Sequence, residues 1–489
     1  MTIQLYQDQL EVVRDVRAAF ADGHKTVILQ SPTGSGKSRM GAYMAAGALS
    51  KGSTVLFDVP MKELRKQIGN SFSELEIPHS YIASGQKYNP FSHCWISTTP
   101  TIAGRLDNAP RIGFALIDEG HQGGEGRDRL KAWLRAQGAK ILILTATPER
   151  LDGKPIDPEC NSIVMGKSIK WLIDNKRLSD YRLFSPSHPD LSVLRRSSNG
   201  EYNSHDAADF MESQSVIIGD AVKHYQTLAM GKRNVSYCAS IKHSQMVCQA
   251  FNGAGIPSAH IDGEMDDAER LRIIKAFARR EIVNICNADL LLYGFDLAAS
   301  SGDKNAVVES ISDLKPTMSK AMQFQKLGRA LRMKDYPAII MDHASNTFNA
   351  DGSVKHGLPC AAVDWNWRGR EKKLGEGNER KIPVRQCGVC FFCHKPSPAC
   401  PACGNVYPVL GRTPEQIEGE LLEVSRDQAA TVAKQERQLQ GRTQTFEDLL
   451  ELETRKGNSR GWAERVWQGR GNSGLGLSQR RAKWAAARK

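Results

Sequence analysis

The stretch Ser31-Pro32-Thr33-Gly34-Ser35-Gly36-Lys37-Ser38 lies directly after the apolar run Val27–Gln30. It matches the phosphate-loop pattern G-x-x-x-x-G-K-[ST], with Ser31 at the first glycine position. Small residues let backbone N–H groups surround phosphate oxygens, and the following helix N-terminus adds partial positive charge. The pattern predicts an ATP site formed by the loop residues Pro32, Thr33, Gly34, Ser35 and Gly36, with Lys37 on the β- and γ-phosphates and Ser38 on Mg²⁺.

A pair of carboxylates follows about 80 residues later, where the β-like run Ala115–Asp118 ends in Asp118-Glu119-Gly120-His121. In phosphate-loop proteins a carboxylate at a strand end holds Mg²⁺, and a neighbouring one orients the attacking water. We therefore expect Asp118 to bind Mg²⁺ and Glu119 to activate the water.

Short apolar runs alternate with amphipathic stretches from Thr26 to about Asp342. This alternation is typical of parallel sheets joined by helical crossovers. It predicts an α/β fold with two tandem lobes, to which a cysteine cluster and the helix-start signals of the tail add a small metal module and a helical tail. The predicted strands are Val27–Gln30, Val55–Val59, Ala115–Asp118, Ile141–Thr145, Val235–Cys238, Ala259–Asp262, Val283–Asn287 and Ala338–Asp342, and the predicted helices include Glu63–Leu75 and Ala268–Arg280.

The same pattern suggests limits for each part of the chain. A segment rich in Ser, Pro and Asn, Ser185–Asn203, is predicted to link the two lobes. Two helix-start signals, Thr413-Pro414 and Thr445 with Asp448, lie in the tail. The predicted parts are an ATP-binding lobe over 1–182, a linker over 183–204, a second lobe over 205–350, a cysteine motif over 384–408 and a basic helical tail over 411–489.

Composition narrows the class of protein. The chain has 489 residues, of which 40% are hydrophobic and 25% charged, which excludes a wholly disordered or fibrous chain. Its net charge of +12 favours a polyanionic partner such as nucleic acid. No apolar run approaches the roughly 18 residues of a membrane span, and the polar start Met1–Val16 lacks a signal-peptide core. We expect a cytoplasmic protein without membrane contact.

Several motifs occur in the order found in superfamily 2 helicases, which this chain resembles over roughly residues 3–345. The motifs are Leu5-Tyr6-Gln7, Pro60 with Leu64 and Gln67, Thr98-Thr99-Pro100-Thr101, Asp118-Glu119-Gly120-His121, Thr145-Ala146-Thr147-Pro148, Gly294 with Asp296 in Asn287–Asp296, and Gln325-Lys326-Leu327-Gly328-Arg329-Ala330-Leu331-Arg332. The resemblance implies that Gln7 reads adenine, that the segment 98–101 contacts a nucleic-acid strand, and that Gly294 and Asp296 line the nucleotide.

The resemblance also implies that the two lobes are RecA-like and that they form a composite catalytic site. Arg329 and Arg332 would come from the second lobe as arginine fingers on the developing phosphoryl charge, and His121 and Gln325 would join the site from the two lobes. Guanidinium suits this role because it stays charged and offers a planar donor fork. Closure of the lobes around ATP would then assemble the catalytic centre.

Two positions depart from the family pattern. Gly120 replaces the alanine of D-E-A-H, from which we expect little chemical effect and a slightly looser strand end. Tyr293 stands where many relatives carry Glu, which puts the coupling role of this loop in question.

Five of the 11 cysteines fall within Cys387–Cys403, which indicates one local metal site in a reducing cytosol. The second pair, Cys400 and Cys403, is a typical zinc knuckle. The first pair is either Cys387 with Cys390 or Cys390 with Cys393, and His394 is adjacent. We favour Cys387, Cys390, Cys400 and Cys403 as four thiolate ligands of a structural Zn²⁺, with Cys393 as a spare thiol.

The last thirty residues, Arg460–Lys489, carry eight Lys or Arg and one Glu, with Trp462, Trp467 and Trp484 interleaved. Basic residues neutralise phosphates and aromatic faces stack on bases, which favours a DNA-binding tail. Phe446 with its neighbouring leucines favours instead a small helical module with its own core.

Two helicase lobes followed by a four-cysteine motif resemble the RadD-type bacterial and phage repair helicases. This resemblance implies DNA rather than RNA as the substrate, with a role in repair or recombination. We expect a monomeric ATP-dependent DNA helicase or translocase, with replication or repair proteins as further partners. The alternatives are an RNA helicase, the motor of a restriction or remodelling complex, and a binding module that uses ATP only as a clamp. His121 and Gln325 favour the D-E-x-H translocating group over D-E-A-D RNA helicases.

Overall fold

A computed structural model describes the chain in two units, Met1–Val409 and Leu410–Lys489. The described residues are 3–85, 87–150, 152–185, 189–197, 199–291, 297–298, 302–303, 306–349, 351–361, 363, 365–369, 384–407, 445–455, 461–470 and 486. Among them, no helix has the length and apolar character that a membrane span requires.

The first unit contains two sheets that are flanked by helices. Its strands are β1 (Thr26–Gln30), β2 (Val55–Val59), β3 (Ser80–Ile82), β4 (Cys94–Thr98), β5 (Phe114–Ile117), β6 (Lys140–Thr145), β7 (Ser162–Met165), β8 (Tyr181–Phe184), β9 (Asn234–Cys238), β10 (Ser258–Ile261), β11 (Asn284–Asn287), β12 (Ser310–Leu314), β13 (Ala338–Asp342), β14 (Arg385–Gln386) and β15 (Phe392–His394).

The helices of this unit are α1 (Gln7–Ala21), α2 (Lys37–Leu49), α3 (Lys62–Glu74), α4 (Thr99–Ala103), α5 (Glu125–Ala136), α6 (Ile169–Asp174), α7 (Ser204–Ser213), α8 (Ser215–Leu228), α9 (Ile241–Gly253), α10 (Asp267–Ala278) and α11 (Lys320–Ala330). The second unit holds α12 (Phe446–Arg455) and α13 (Trp462–Gly469).

The first lobe is built on a seven-stranded parallel sheet with the order β3-β4-β2-β5-β6-β1-β7. Strands β1, β2, β4 and β5 are buried along their whole length, because helices cover both faces of the sheet. The phosphate loop leaves the carboxyl end of β1, where ligand sites of open α/β sheets lie.

The second lobe has an eight-stranded sheet with the order β10-β11-β9-β12-β13-β8-β15-β14. The strands from β10 to β8 are parallel, whereas β15 runs antiparallel to β8 and to β14. The cysteine motif therefore extends this sheet at its edge.

All eight predicted strands and both named helices are present, with limits shifted by at most two residues, and the two α/β lobes are confirmed. The chain passes from the first sheet to the second between Met165 and Tyr181, because β8 already pairs with β13. Part of the segment expected to be a linker therefore belongs to the second lobe: Phe184 ends β8, and Glu201 contacts the start of α11. The domain limits given above otherwise stay predictions.

Candidate nucleotide site between the two lobes

The phosphate loop is held in shape by its own polar groups. Gly34 and Gly36 have φ of 85° and 88°, the left-handed region that glycine enters without strain. The Ser31 hydroxyl donates to Ser35 Oγ at 2.6 Å, and Ser35 Oγ donates to the Pro32 carbonyl at 2.6 Å. Serine at the first glycine position thus adds a side-chain bond that closes the loop.

Lys37 starts α2 and turns back over this loop. Its Nζ donates to the carbonyls of Ser31 at 2.9 Å and Pro32 at 3.2 Å. Desolvation lowers the pKa of Lys37, while the charges of Glu119 and Asp118 oppose that change. Ser38 lies beside it in the first turn of α2.

The glutamine that reaches the phosphate loop is Gln9, which the sequence reasoning missed. Gln9 is buried and donates from Nε2 to the Ser35 carbonyl at 2.9 Å, while its Oε1 accepts from the Tyr6 amide at 3.1 Å. Gln7 is exposed on another face of α1. Side chains two positions apart on a helix point in directions that differ by about 200°, so only one of Gln7 and Gln9 can face the loop. A glutamine at the third helical position was the available signal.

The two carboxylates lie at the end of β5. Asp118 Oδ1 accepts from the Glu119 amide at 2.9 Å, and both residues are buried. Burial and the neighbouring Glu119 raise the pKa of Asp118 to about 7, although Lys37 opposes this. A divalent cation at this position would favour the ionised form. Glu119 has φ of 48°, an uncommon conformation for a residue with a side chain.

The packing of the first lobe requires glycine at position 120. A Cβ at this position would lie 2.1 Å from Cγ2 of Ile143 in β6. The expectation that glycine has little effect here and loosens the strand end was therefore wrong, because the methyl group of an alanine would not fit at this position.

His121 and Gln325 join the two lobes at the carboxylates. Gln325 Nε2 lies 3.3 Å from Glu119 Oε2 and 3.2 Å from His121 Nε2, and His121 Nδ1 lies 3.2 Å from Thr145 Oγ1. Burial, and then the charges of Arg127 and Lys37, lower the pKa of His121 to about 3. A neutral His121 with its proton on Nδ1 fits this network, because Gln325 then donates to Nε2.

Helix α11 brings the second lobe against the phosphate loop. A Cβ on Gly328 would lie 2.5 Å from Cβ of Thr33, so glycine is required for this approach. Arg329 is buried and its charge acts on Lys37, and Arg332 lies beside Gly34. The structure thus brings Lys37, Asp118, Glu119, His121, Gln325, Arg329 and Arg332 into one region. Gly294, Asp296 and Tyr293 lie outside the described residues.

The cysteine motif brings four thiols together. Sγ of Cys387 lies 3.6 Å from that of Cys403, Sγ of Cys390 lies 3.6 Å from that of Cys400, and all four lie within 4.8 Å of one another. Tetrahedral zinc with bonds of about 2.3 Å separates its sulfurs by about 3.8 Å, so these residues fit a Zn²⁺ ion. Cys393 is not part of this group; it is buried in the core of the second lobe.

The second unit is described over one pair of helices. Phe446, Leu449, Leu450 and Ala463 are buried together, and Trp462, Val466 and Trp467 pack against them. Glu453 Oε2 accepts from the Ala463 amide at 2.8 Å, at the start of α13. Two of the three tail tryptophans therefore belong to a small core, and Trp484 lies outside the described residues.

The chain is similar in sequence to several known proteins. Residues 2–150 match the family model of the type III restriction enzyme res subunit. A 51.5 kDa protein of a Lactococcus phage (isolate 7-9) is 30% identical over 399 residues, which cover 81% of each chain. The replication restart protein PriA of Synechocystis sp. is 28% identical over 108 residues, 20% of this chain and 13% of PriA.

The fold has a counterpart among solved structures. A fragment described as an HsdR subunit of a type I restriction enzyme from Vibrio vulnificus YJ016 aligns with a TM-score of 0.51 and 17% identity, over 69% of this chain and 64% of the fragment. The chain belongs to the same family as the Lactococcus phage protein, and its phosphate loop, its carboxylate pair and the res-subunit match over residues 2–150 identify it as a superfamily 2 helicase, an ATP-hydrolysing enzyme.

Proposed function

We propose that this enzyme couples ATP hydrolysis to translocation along DNA or to its unwinding, in repair, recombination or replication. The observation that carries the proposal is the contact of Gln325, on the second lobe, with both Glu119 and His121 on the first. A site divided between two lobes changes when the lobes move, and such movement can step a strand through the molecule. DNA is favoured by the relatives, since the restriction subunits and the replication restart protein are named for DNA processes.

We assign the residues of the site as follows. Lys37 binds the β- and γ-phosphates, Ser38 and Asp118 hold Mg²⁺, and Glu119 accepts a proton from the attacking water. Arg329 and Arg332 stabilise the charge that develops on the transferred phosphoryl group. Gly294 and Asp296 remain assigned to the nucleotide.

We propose that Gln9, and not Gln7, recognises the adenine of ATP. Gln9 already touches the phosphate loop, and Arg177 covers the Tyr6 ring at 3.4 Å, next to Gln9. Tyr6 is 55% exposed, and a flat base would stack on the face of its ring opposite Arg177.

We propose that Cys387, Cys390, Cys400 and Cys403 hold a structural Zn²⁺. Four thiolates fill a tetrahedral shell, so the ion would stabilise the module without taking part in catalysis. We further propose a cytoplasmic monomer that meets other replication or repair proteins.

A second candidate is the motor of a restriction complex. The family model of the res subunit over residues 2–150 favours it specifically. Such a motor would translocate on duplex DNA without separating its strands.

ATPase activity measured with single-stranded DNA, duplex DNA, forked DNA and RNA in parallel distinguishes these functions. We expect the largest stimulation by DNA; stimulation by RNA alone would contradict the proposal, and stimulation by duplex DNA without strand separation would favour the restriction motor. The control variant is Glu119→Gln. It should bind ATP and Mg²⁺ but turn over slower by orders of magnitude, because the water loses its general base.

A further inference from the structure

Buried polar side chains connect the segment 98–101 with the turn over residues 119–122 in the first lobe, which carries Glu119. These side chains belong to Asp58, Thr99, Arg127 and Glu119, which are 0%, 8%, 5% and 8% exposed. Thr99 belongs to the segment 98–101, for which the family resemblance implies contact with nucleic acid. Glu119 is the proposed base for hydrolysis.

Thr99 is the first link. Its hydroxyl donates to Asp58 Oδ2 at 2.5 Å, at the end of β2, and accepts from Arg127 Nη2 at 3.3 Å. Ser97 Oγ donates to the other oxygen of Asp58 at 3.0 Å. The Thr99 side chain therefore points into the protein, where it joins a carboxylate to a guanidinium.

Arg127 is the second link. Its Nη1 donates to the Glu119 carbonyl at 2.6 Å and to the Gln122 carbonyl at 3.2 Å. The Gln122 amide in turn donates to the Glu119 carbonyl at 3.0 Å, so one guanidinium holds both ends of this turn. The grip acts on a residue with φ of 48°, a conformation that persists only where surrounding contacts enforce it.

The helices that carry these residues also touch. Helix α4 begins at Thr99 and packs against α5, which carries Arg127. A Cβ on Gly126 would lie 3.4 Å from Cβ of Ala103 in α4. A shift of α4 would therefore be transmitted to Arg127, because Thr99 at the start of α4 is hydrogen-bonded to Arg127 on α5.

We infer that Arg127 is a positioning residue that aims Glu119 at the attacking water, and that Thr99 couples its position to the presence of a nucleic-acid strand on the segment 98–101. The inference rests on the proposed function, since it explains how a strand stimulates ATP hydrolysis. A bound strand that holds α4 in this position also holds the Thr99–Arg127 contact, and the turn that bears Glu119 is then kept in its productive conformation.

Two variants test the two steps separately. Arg127→Lys keeps the charge but loses the fork that reaches Thr99 and the turn together. Without DNA it should lower kcat by about tenfold or more with little change in the KM for ATP, because the base is misaimed while ATP binding is intact. Arg129→Lys is the matched control, because Arg129 is exposed on the same helix.

Thr99→Val tests the coupling. It should reduce the stimulation of kcat by single-stranded DNA by about fivefold or more, with the Kd for DNA changed by less than about twofold, and Thr99→Ser should restore stimulation because it restores the hydroxyl. Melting temperatures are measured for every variant, since a merely structural role would lower Tm together with DNA-dependent and DNA-independent rates.

Each outcome has a distinct meaning. Stimulation like that of the unaltered enzyme in Thr99→Val, or a loss fully matched by weaker DNA binding, overturns the coupling. An unchanged kcat in Arg127→Lys overturns the positioning role. If the unaltered enzyme is stimulated by no nucleic acid, the proposed function fails, and the Arg127→Lys result without DNA still decides whether Arg127 positions Glu119.

Discussion

The side chain of Asp58 lies in surroundings that disfavour its ionised form. It is fully buried, and burial raises its pKa to about 6, although the charge of Arg127 and the hydroxyls of Thr99 and Ser97 oppose that change. The ionised form at neutral pH therefore lowers the stability of the folded protein, while its oxygens accept the hydrogen bonds of Ser97 and Thr99.

This loss of stability predicts a pH dependence with a definite sign. An unfolded Asp titrates near 3.9, so the folded state binds the proton more tightly between pH about 4 and about 6. The stability of the protein relative to Asp58→Asn should therefore fall as the pH rises through this window, by at most about 3 kcal/mol, and stay level above it. The measurement is the difference in Tm between the two proteins from pH 4 to 7, without added Mg²⁺.

The matched control for this comparison is Asp128→Asn, an exposed residue on α5. A constant difference in Tm across the whole pH range would contradict the raised pKa of Asp58. A difference that grows in the opposite direction would show that the carboxylate, and not the neutral acid, is the favoured form.

At the scale of elements, the packing of β6 against the turn that carries Glu119 explains why Gly120 is not alanine. The Ile143 methyl group occupies the space that a Cβ would need. Ile143 is 1% exposed within a fully buried part of its strand, so it has little freedom to move away.

Gly120→Ala should consequently destabilise the protein by about 1–3 kcal/mol through overpacking, and it should lower kcat because the displaced turn carries Glu119. Ile143→Ala removes the opposing methyl group. In the double variant the cost of Gly120→Ala should shrink by about 1 kcal/mol or more, as expected for two residues in contact. Thermal or urea unfolding of the two single variants and the double variant provides the cycle.

Strict additivity of the two changes would show that the space at Gly120 is not set by Ile143. Gly138→Ala is not a suitable control, because Gly138 has φ of 74° and would be strained by any side chain. Gly219→Ala is suitable, since a Cβ there meets no heavy atom within 4 Å and the residue lies within helix α8.

At the scale of the whole first unit, the cysteine module is a continuation of the second lobe. Strand β15 pairs with β8, with Cys393 opposite Leu183 and Phe392 opposite Phe184. The Ser185 amide donates to the Phe391 carbonyl at 3.2 Å. The module thus covers the edge of the sheet, which would otherwise present unpaired backbone groups.

Loss of the metal should therefore destabilise the edge of the second lobe as well as the cysteine module. The protein should carry one zinc per chain, and Cys400→Ser should lose it and unfold residues 385–407, because metal binding and folding are linked in such modules. Hydrogen exchange at Ser185 should then accelerate, since its backbone partner is gone. Elemental analysis and exchange mass spectrometry measure the two effects.

Cys393→Ser is the control, because Cys393 is buried outside the four-thiol group. It should keep the metal even where it weakens the core. Metal loss in Cys393→Ser together with retention in Cys387→Ser would show that the first cysteine pair is the other one.

Local signals in the sequence were enough to predict much of this protein. Apolar runs such as Val55–Val59 coincide with buried strands, because a strand covered on both faces needs a continuous apolar stretch. The phosphate loop and the carboxylate pair are also local, since their chemistry requires particular residues at short spacing. The favoured four cysteines are the ones brought together, because each C-x-x-C turn presents its two thiols by itself.

Only the tertiary structure decided the contacts between segments distant in sequence. Gln9 rather than Gln7 faces the phosphate loop because the position of α1 against the sheet selects one helix face. Gly120 is required by Ile143, Arg127 holds the Glu119 turn while it meets Thr99, and β15 joins β8. Each of these depends on packing between elements, and packing distances leave no periodic or compositional pattern in either segment alone.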